Sequence, residues 1–222
     1  MIRKRFTANI SVSQKQLESA IRKALQDKLT KGFSKAKSKI EPRCQELVID
    51  GLKKEPAYNS ILNGKLKTDF GLTDEIAAGF LSNLEELLKS KIKTYYKISN
   101  SKNTLAVIYL DILKMDFDEV LAIPEASYIS ESKRGSFEID WAKWLLTEGV
   151  RVVVSGFQTS REGTSFKSRT DGTIMLPSKD GTFRVDPAFA GNQQSNLVVR
   201  AALNNLDKIE QMMFEEVMRI FS

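Results

Sequence analysis

Residues 141–203 read WAKWLLTEGVRVVVSGFQTSREGTSFKSRTDGTIMLPSKDGTFRVDPAFAGNQQSNLVVRAAL, and this stretch decides the fold that the sequence predicts. Trp141 and Trp144 are three positions apart, which places them side by side on a short helix closed by Glu148 and Gly149. The valine-rich run that follows predicts a buried strand. We expect Trp144 in the core and Trp141, nearer the helix start, to tolerate substitution better.

Three further elements are predicted from the rest of this stretch. The polar residues from Ser155 to Gly172 predict a long loop, and loops of that length in compact domains are usually functional or disordered. Asp180-Gly181, between two segments with strand character, predicts the tight turn of a β-hairpin. A final helix is expected from about Ser195 to Phe221, long enough at ~1.5 Å per residue to cross the domain.

The first hundred residues predict helices. Ser13 and Gln16 form a capping-box pattern, Pro42 is suited to the first turn of a second helix, and Thr73 is suited to cap the third long helix. The predicted helices cover residues 13–40, 42–55, 57–63 and 73–95. Each carries a single apolar stripe, so each needs packing against another element to be stable.

Residues 104–113, TLAVIYLDIL, form a continuous apolar run that favours a strand covered on both faces, although periodicity alone leaves a buried helix open. A further strand is possible over residues 126–130. Asp116, Asp118 and Glu119 lie between these segments, but they lack the glycine and terminal glutamate of a calcium loop, so no metal site is predicted.

These patterns together predict an α+β fold. A helical N-terminal half and a long C-terminal helix would pack on a mainly antiparallel sheet built from residues 104–186. Residues 1–100 make the helical region, and residues 101–222 make the sheet region with the extended loop and the C-terminal helix. We expect the two regions to form one compact domain.

The residue types that are missing limit the chemistry. The chain has no histidine and a single cysteine, Cys44, which excludes an internal disulfide and any Ser–His or Cys–His pair. The glycines match neither a P-loop nor a dinucleotide pattern. We therefore predict no enzymatic activity, no catalytic residue and no cofactor, with Cys44 in the core. The absence of a long apolar run and of a signal-peptide pattern leads us to expect no membrane association.

Positive charge is concentrated at the N-terminus. Residues 1–39 hold eleven Lys and Arg against two acids, or +9, so the net charge of +6 leaves −3 for the remainder. Such asymmetry suggests contact with a phosphate backbone or an acidic partner, although a lysine-rich helix is more often only a solvated face. The candidate residues are Arg22, Lys23, Lys28, Lys31, Lys35, Lys37 and Lys39.

The predicted loop offers a second candidate surface. Its phenylalanines and basic residues make an adaptable arm that is suited to ordering against a neighbouring molecule. Aromatic and basic side chains of this kind also suit stacking on single-stranded nucleic acid. The candidate interface residues are Phe157, Arg161, Phe166, Lys167, Arg169, Phe189 and Arg200.

The arrangement of this C-terminal part resembles the tail-completion, neck and tail-terminator proteins of long-tailed bacteriophages. The residues that carry the resemblance are Trp141, Trp144, Glu148, Gly149, Pro187, Phe189, Arg200, Ala201, Ala202 and Leu203. The segments GKLKTDFGL, IPEASYIS and FRVDPAFAG are also similar to virion structural proteins of contractile-tailed phages. The long loop and the large helical N-terminal half depart from that pattern and leave open which ring this chain would form.

The resemblance implies a virion protein that forms a ring at the head–tail junction, made in the host cytoplasm. It implies a neck or tail-completion protein, or alternatively a terminator that caps the tail tube or sheath. Expected partners are further copies in a cyclic ring, taken to be a hexamer, neighbouring neck, portal-adaptor or tail proteins, and DNA passing through the lumen. A nucleic-acid-binding module that uses the basic N-terminal helix is the alternative from another class.

Overall fold

A computed structural model describes residues 13–99, 101, 104–111, 117–132, 135–148, 153–160, 174–192 and 194–222. In these ranges the helices are α1 Gln14–Lys54, α2 Pro56–Asn63, α3 Lys65–Phe70, α4 Asp74–Lys91, α5 Phe117–Leu121, α6 Trp141–Leu146, α7 Leu197–Leu203 and α8 Leu206–Phe221. The strands are β1 Lys93–Ile98, β2 Ala106–Asp111, β3 Tyr128–Ser132, β4 Gly135–Ile139, β5 Val153–Ser160 and β6 Ile174–Arg184. The predicted α+β class is confirmed. The described strands do not form one sheet, however, but three antiparallel pairs, β1–β2, β3–β4 and β5–β6.

Helix α1 is a single helix of 41 residues, or roughly 60 Å, that runs through Pro42. Its predicted start is confirmed. The Ser13 hydroxyl accepts a hydrogen bond from the Gln16 backbone N–H at 3.3 Å, and the Gln16 side chain accepts one from the Ser13 N–H at 3.1 Å. The predicted break at Pro42 is wrong.

Helix α1 continues through Pro42 because the side that carries the proline is exposed to water and the opposite side is buried. Pro42 lacks an N–H and so leaves the carbonyl of Ser38 without its helical donor, at a cost of ~3 kcal/mol. Both residues are exposed, so water can reach that carbonyl. The opposite side fully buries Ile40, Val48 and Leu52, each contributing ~1.5–3 kcal/mol. The free energy gained by burying these side chains exceeds the free-energy cost of the proline, so the helix continues.

The predicted helix at residues 73–95 is correct at its start and wrong at its end. The Thr73 hydroxyl accepts from the Ile76 N–H, but α4 ends at Lys91 and the chain turns into β1. Strand β2 confirms the strand predicted at residues 104–113. It is not covered on both faces, since Val107 and Tyr109 are exposed. Tyr109 instead stacks on Tyr95 of β1, with ring centroids 5.0 Å apart.

The predicted hairpin turn at Asp180-Gly181 is also wrong, because β6 passes through both residues. Ser155 pairs with Thr182 and Phe157 with Pro177, so residues 178–181 lie opposite Gly156 alone. The Asp-Gly pair therefore belongs to a bulge, and Gly156 adopts a φ of +89°, which side chains disfavour. Strand β5 also takes in Ser155 to Ser160, which were predicted as loop. The rest of the predicted loop lies outside the described residues.

The predicted C-terminal helix is two helices. The Asn196 side chain caps α7 by accepting from the N–H groups of Val198 and Val199 at 3.0 and 3.2 Å. The chain then breaks at Asn204 and Asn205. The buried Asn205 amide donates to the Leu47 carbonyl of α1 at 2.7 Å, so a contact with α1 fixes the break.

One large core joins the two predicted regions, because it takes residues from α1 through α4 and from α6, β6 and α7. Trp141 lies at its centre with no exposed surface. Its ring is 4.7 Å from the Phe80 ring and 5.8 Å from the Phe70 ring, and its indole Nε1 donates to the Glu125 carbonyl at 2.8 Å. A second, smaller core lies between α1 and α8.

Replacing Trp141 is expected to destabilise the protein more than replacing Trp144, which reverses the order expected from sequence. Trp144 is 9% exposed at the edge of the core, whereas Trp141 has no exposed surface and packs against the rings of Phe70 and Phe80. Trp141→Ala should cost ~3–5 kcal/mol of unfolding free energy, measured by urea titration. Trp141→Phe should lose less, since it removes the indole N–H but keeps an aromatic ring. A larger loss for Trp144→Ala would contradict this assignment.

Candidate functional site

Helix α8 runs along α1 at very short range. A Cβ atom added to Gly32 would lie 2.4 Å from Ile220 Cγ2, and one added to Gly51 would lie 2.2 Å from the Ala201 carbonyl oxygen of α7. At Gly51 the neighbouring atom is backbone, so a side chain there would force the helices apart, whereas at Gly32 the Ile220 side chain would have to move. Beside this contact, residues 28–39 of α1 and 216–220 of α8 line a groove.

The groove has a volume of about 410 Å³, and lysines line its α1 side. Their spacing of three and four residues places them on one face of the helix. The lysines are Lys28, Lys31, Lys35 and Lys39. Lys31, Lys35 and Lys39 have no ion-pair partner within the described ranges, so this face carries net positive charge.

The α8 side of the groove contains one buried carboxylate. Glu216 is 3% exposed and accepts from Arg43 at 3.1 Å and from Arg219 at 2.5 Å. A buried carboxylate needs such partners because desolvation strongly disfavours an isolated charge. Arg43 of α1 therefore stabilises the contact with α8, while Arg219 pairs with the same carboxylate from within α8. The lysines carry the charge that faces outward.

The basic residues selected from sequence do not form one surface. The Arg22 guanidinium donates to the carbonyls of Ser99 and Thr104, both at 2.6 Å, on the side of α1 that faces the β1–β2 connection. Lys37 lies 3.5 Å from Glu41, on another side of α1. Lys28 lines the groove but also donates to the Phe221 carbonyl at 3.0 Å. These residues point in different directions around the axis of α1. Their closeness in sequence alone did not indicate this.

The first turns of α1 extend beyond the end of α8. Leu17 and Ile21 are 53% and 52% exposed there, and Ala24 is exposed on the same side. The sequence interpretation placed all three in a core-facing stripe. In the structure the buried stripe begins at Leu29, on a different side of the helix.

Helix α8 carries a second apolar stripe that sequence reasoning missed. Phe214 and Met218 are 66% and 49% exposed, and Phe221 lies one turn further on the same side. The opposite side buries Ile209 and Met212 against α1. The sequence does indicate this stripe, because residues 214, 218 and 221 are apolar and spaced by three or four. They lie on a different face of the helix from the buried apolar residues.

The candidate interface residues from the predicted arm are mostly not described. Phe157 lies in β5 opposite Pro177, and nothing is described of its side chain. Phe189 is half-buried and packs against the large core. The other candidate residues of the arm lie outside the described ranges; they are Arg161, Phe166, Lys167 and Arg169.

Arg200 binds within the chain. Its Nε donates to Glu55 Oε2 at 2.8 Å, and the Asn204 side chain donates to Glu55 Oε1 at 2.5 Å. Glu55 is 4% exposed at the end of α1. This arrangement ties α7 to α1 and satisfies both oxygens of a buried carboxylate.

Arg200→Ala is expected to lower the unfolding free energy by about 1–3 kcal/mol, because it leaves a buried acceptor without its charged donor. Chemical denaturation of the purified variant measures the loss. Replacing Glu55 and Arg200 together by leucine is the control, since removing both charges leaves no unpaired carboxylate and should recover much of the loss. Equal losses in the single and double variants would show that the pair contributes nothing specific.

The described residues offer little for catalysis. Burial, with Glu41 adding to the effect, raises the pKa of the Cys44 thiol to about 11, so the thiol stays protonated near neutral pH. Glu119 pairs with Lys91, Asp118 is exposed, and Asp116 lies outside the described ranges. Across the part of the chain that is described, no three His, Cys, Asp or Glu residues are grouped to hold a metal ion.

Comparison with known proteins adds no relative. No family model matches the sequence, and neither the curated proteins nor the solved structures contain a significant match. The helices in the described ranges include none that is both long and apolar enough to cross a membrane.

Proposed function

We propose that the protein is a non-catalytic virion component that forms a ring at the head–tail junction of a bacteriophage, as a neck or tail-completion protein. The observation that carries the assembly role is the pair of exposed apolar stripes on α1 and α8. Scattered exposed apolar side chains are normal on any protein. Here they recur at helical spacing on two elements, and contiguous apolar surface of this kind marks interaction sites.

The assignment to the head–tail junction rests on the sequence resemblance, and the packing of the three resembling segments supports it. Phe70 belongs to GKLKTDFGL, Glu125 to IPEASYIS and Phe183 to FRVDPAFAG. Phe70 lies 5.8 Å from the Trp141 ring and 5.4 Å from the Phe183 ring, while Glu125 accepts the indole hydrogen bond. Segments that are distant in sequence thus share one core, as expected if the resemblance reflects a common structural unit.

Within this proposal, a terminator that caps the tail tube or sheath is the alternative position. Both positions require the same kind of subunit, one that contacts copies of itself and the layers above and below. The expected partners are therefore further copies and neighbouring neck, portal-adaptor or tail proteins. The protein would be made in the host cytoplasm and end in the virion.

The test uses a phage genome that carries this gene, with an amber codon at Gln45. On a non-suppressing host the lysate should contain filled heads and separate tails, because a junction protein is needed only to join them. Negative-stain electron microscopy and infectivity measure the result. A plasmid copy of the wild-type gene should restore joined particles. Complete, infectious particles without the plasmid would show that the proposal is wrong.

A second candidate is binding to nucleic acid through the lysine face of the groove. The observation that favours it is the row of Lys28, Lys31, Lys35 and Lys39, which spans roughly 16 Å along α1 at ~1.5 Å per residue. Lysines in such a row suit a phosphate backbone, which needs repeated charge but no base contact.

For that candidate, affinity for duplex DNA should fall with salt at a slope of about −3.6 in log–log form if four lysines contact phosphates. Each of Lys31→Ala, Lys35→Ala and Lys39→Ala should reduce the slope by about 0.9. Fluorescence anisotropy over a salt series measures the slope. Lys89→Ala, an exposed lysine on α4, is the matched control and should leave it unchanged. A flat salt series would exclude the DNA contact.

A further inference from the structure

We propose that the protein assembles head to tail, with the first turns of α1 from one copy lying antiparallel on the outer face of α8 of the next copy. This inference deepens the proposed assembly role and rests on it. It names the two surfaces that meet and their register. The α1 face consists of Leu17, Ile21, Ala24, Lys28 and Lys31. The α8 face consists of Phe221, Met218, Phe214, Glu210 and Asp207.

Two apolar side chains on each face are well exposed in the part of the chain that the structure describes. Leu17 and Ile21 are about half exposed, and so are Phe214 and Met218. Within one copy, the Lys28 ammonium donates to the Phe221 carbonyl at the end of α8. The apolar part of the α1 face lies beyond that end, so it does not meet the apolar side chains of its own α8. Helix α8 already packs on α1 through its opposite side, where Ile209 is buried. A contact between the two faces must therefore join different molecules.

The apolar positions match in antiparallel register. Along α1 they occur at residues 17, 21 and 24, and backward along α8 they occur at residues 221, 218 and 214. Each series advances by three or four residues, which keeps it on one helix face. Leu17 would lie against Phe221, Ile21 against Met218, and Ala24 against Phe214. The small Ala24 opposite the large Phe214 allows the two helices to approach closely.

The charges extend the same register by two more turns. Beyond Ala24 come Lys28 and Lys31, and beyond Phe214, in the opposite direction, come Glu210 and Asp207. The steps again match, four residues and then three on each helix. In the described ranges, Lys31, Glu210 and Asp207 make no ion pair. Complementary charge of this kind sets register and orientation more than it adds affinity.

The parallel orientation does not fit. It would place Leu17 against Phe214 and Ala24 against Phe221, so the two lysines would lie past the end of α8. The acids would then face residues before the apolar part of α1. Only the antiparallel arrangement pairs apolar with apolar and basic with acidic positions.

A contact between two different faces leaves one free face on each copy. It is heterologous, so it closes into a ring or continues as a filament and does not stop at a symmetric dimer. Five positions on each side are far fewer than the roughly 20–30 residues per side of a standard interface. A single contact is therefore weak, so it should be populated only at high protein concentration, and closure of the ring would strengthen the assembly.

The experiment blocks each face separately. One variant carries Leu17→Glu and Ile21→Glu, and the other carries Phe214→Glu and Met218→Glu. All four side chains are exposed, so both variants should fold, which circular dichroism checks. At high concentration wild-type protein should form species larger than dimers in analytical ultracentrifugation, and each variant alone should be monomeric. Their equimolar mixture should form dimers and nothing larger, because each variant supplies the one intact face the other needs.

Disulfide trapping tests the register. Copies with Ile21→Cys, mixed with copies carrying Met218→Cys, should give a cross-linked dimer under mild oxidation. The native Cys44 is fully buried and does not interfere. Thr30→Cys, on another side of α1, is the matched control and should not cross-link to Met218→Cys.

Charge reversal tests the ionic part of the register. In the mixed dimer of the two blocked variants, Lys31→Asp alone should weaken association roughly fivefold, as for an exposed ion pair. Reversing Asp207 to Lys in the other copy should restore it.

A mixture of the blocked variants that stays monomeric, or a wild-type protein that never associates, overturns the inference and leaves the two faces to another partner. Oligomers larger than dimers in that mixture also overturn it. The outcome is separate from the test of the junction role. Separate heads and tails from the amber phage, together with a monomeric mixture, would retain the proposed function and exclude this contact.

Discussion

The close approach of α1 to the α7–α8 pair is the constraint on which the rest of the structure depends. At Gly51 the helix backbone lies so near the Ala201 carbonyl that no side chain fits between them. Two buried carboxylates, Glu55 and Glu216, accept arginine donors across the same contact. Because this contact fixes α8 by one side only, it also determines which side of α8 faces outward, and it creates the basic groove.

Much of the fold could be predicted because its signals are local. The capping box at Ser13 and the cap at Thr73 depend on groups within one helical turn, and both are confirmed. The predictions that failed concern places where a distant partner decides. Pro42 would end an isolated helix, but burial on the opposite side carries α1 past it. The sequence around Asn205 was predicted as part of one long helix. The helix breaks there because the Asn205 amide donates to the Leu47 carbonyl of α1.

The candidate site was only partly accessible from sequence, for a related reason. Counting charges identified a basic N-terminal region, and four of its lysines do line one groove. The count could not tell that Arg22 and Lys37 point to other sides of α1, because that depends on helical angle and on the neighbouring hairpin. Hydrophobic periodicity also treats every apolar stripe as core. For this reason Ile21 was assigned to the interior, and the exposed stripe that includes Phe214 was not recognised.

The attachment of the first turns of α1 has a mechanical consequence. Arg22 and Gln26 donate to the carbonyls of Ser99, Thr104 and Leu105, between the end of β1 and the start of β2. These hydrogen bonds therefore fix the protruding turns of α1 and the β1–β2 hairpin to each other. A sideways load applied to Leu17 would be transmitted into the hairpin and shared by both elements, so the helix would resist bending along a length where α8 gives it no support.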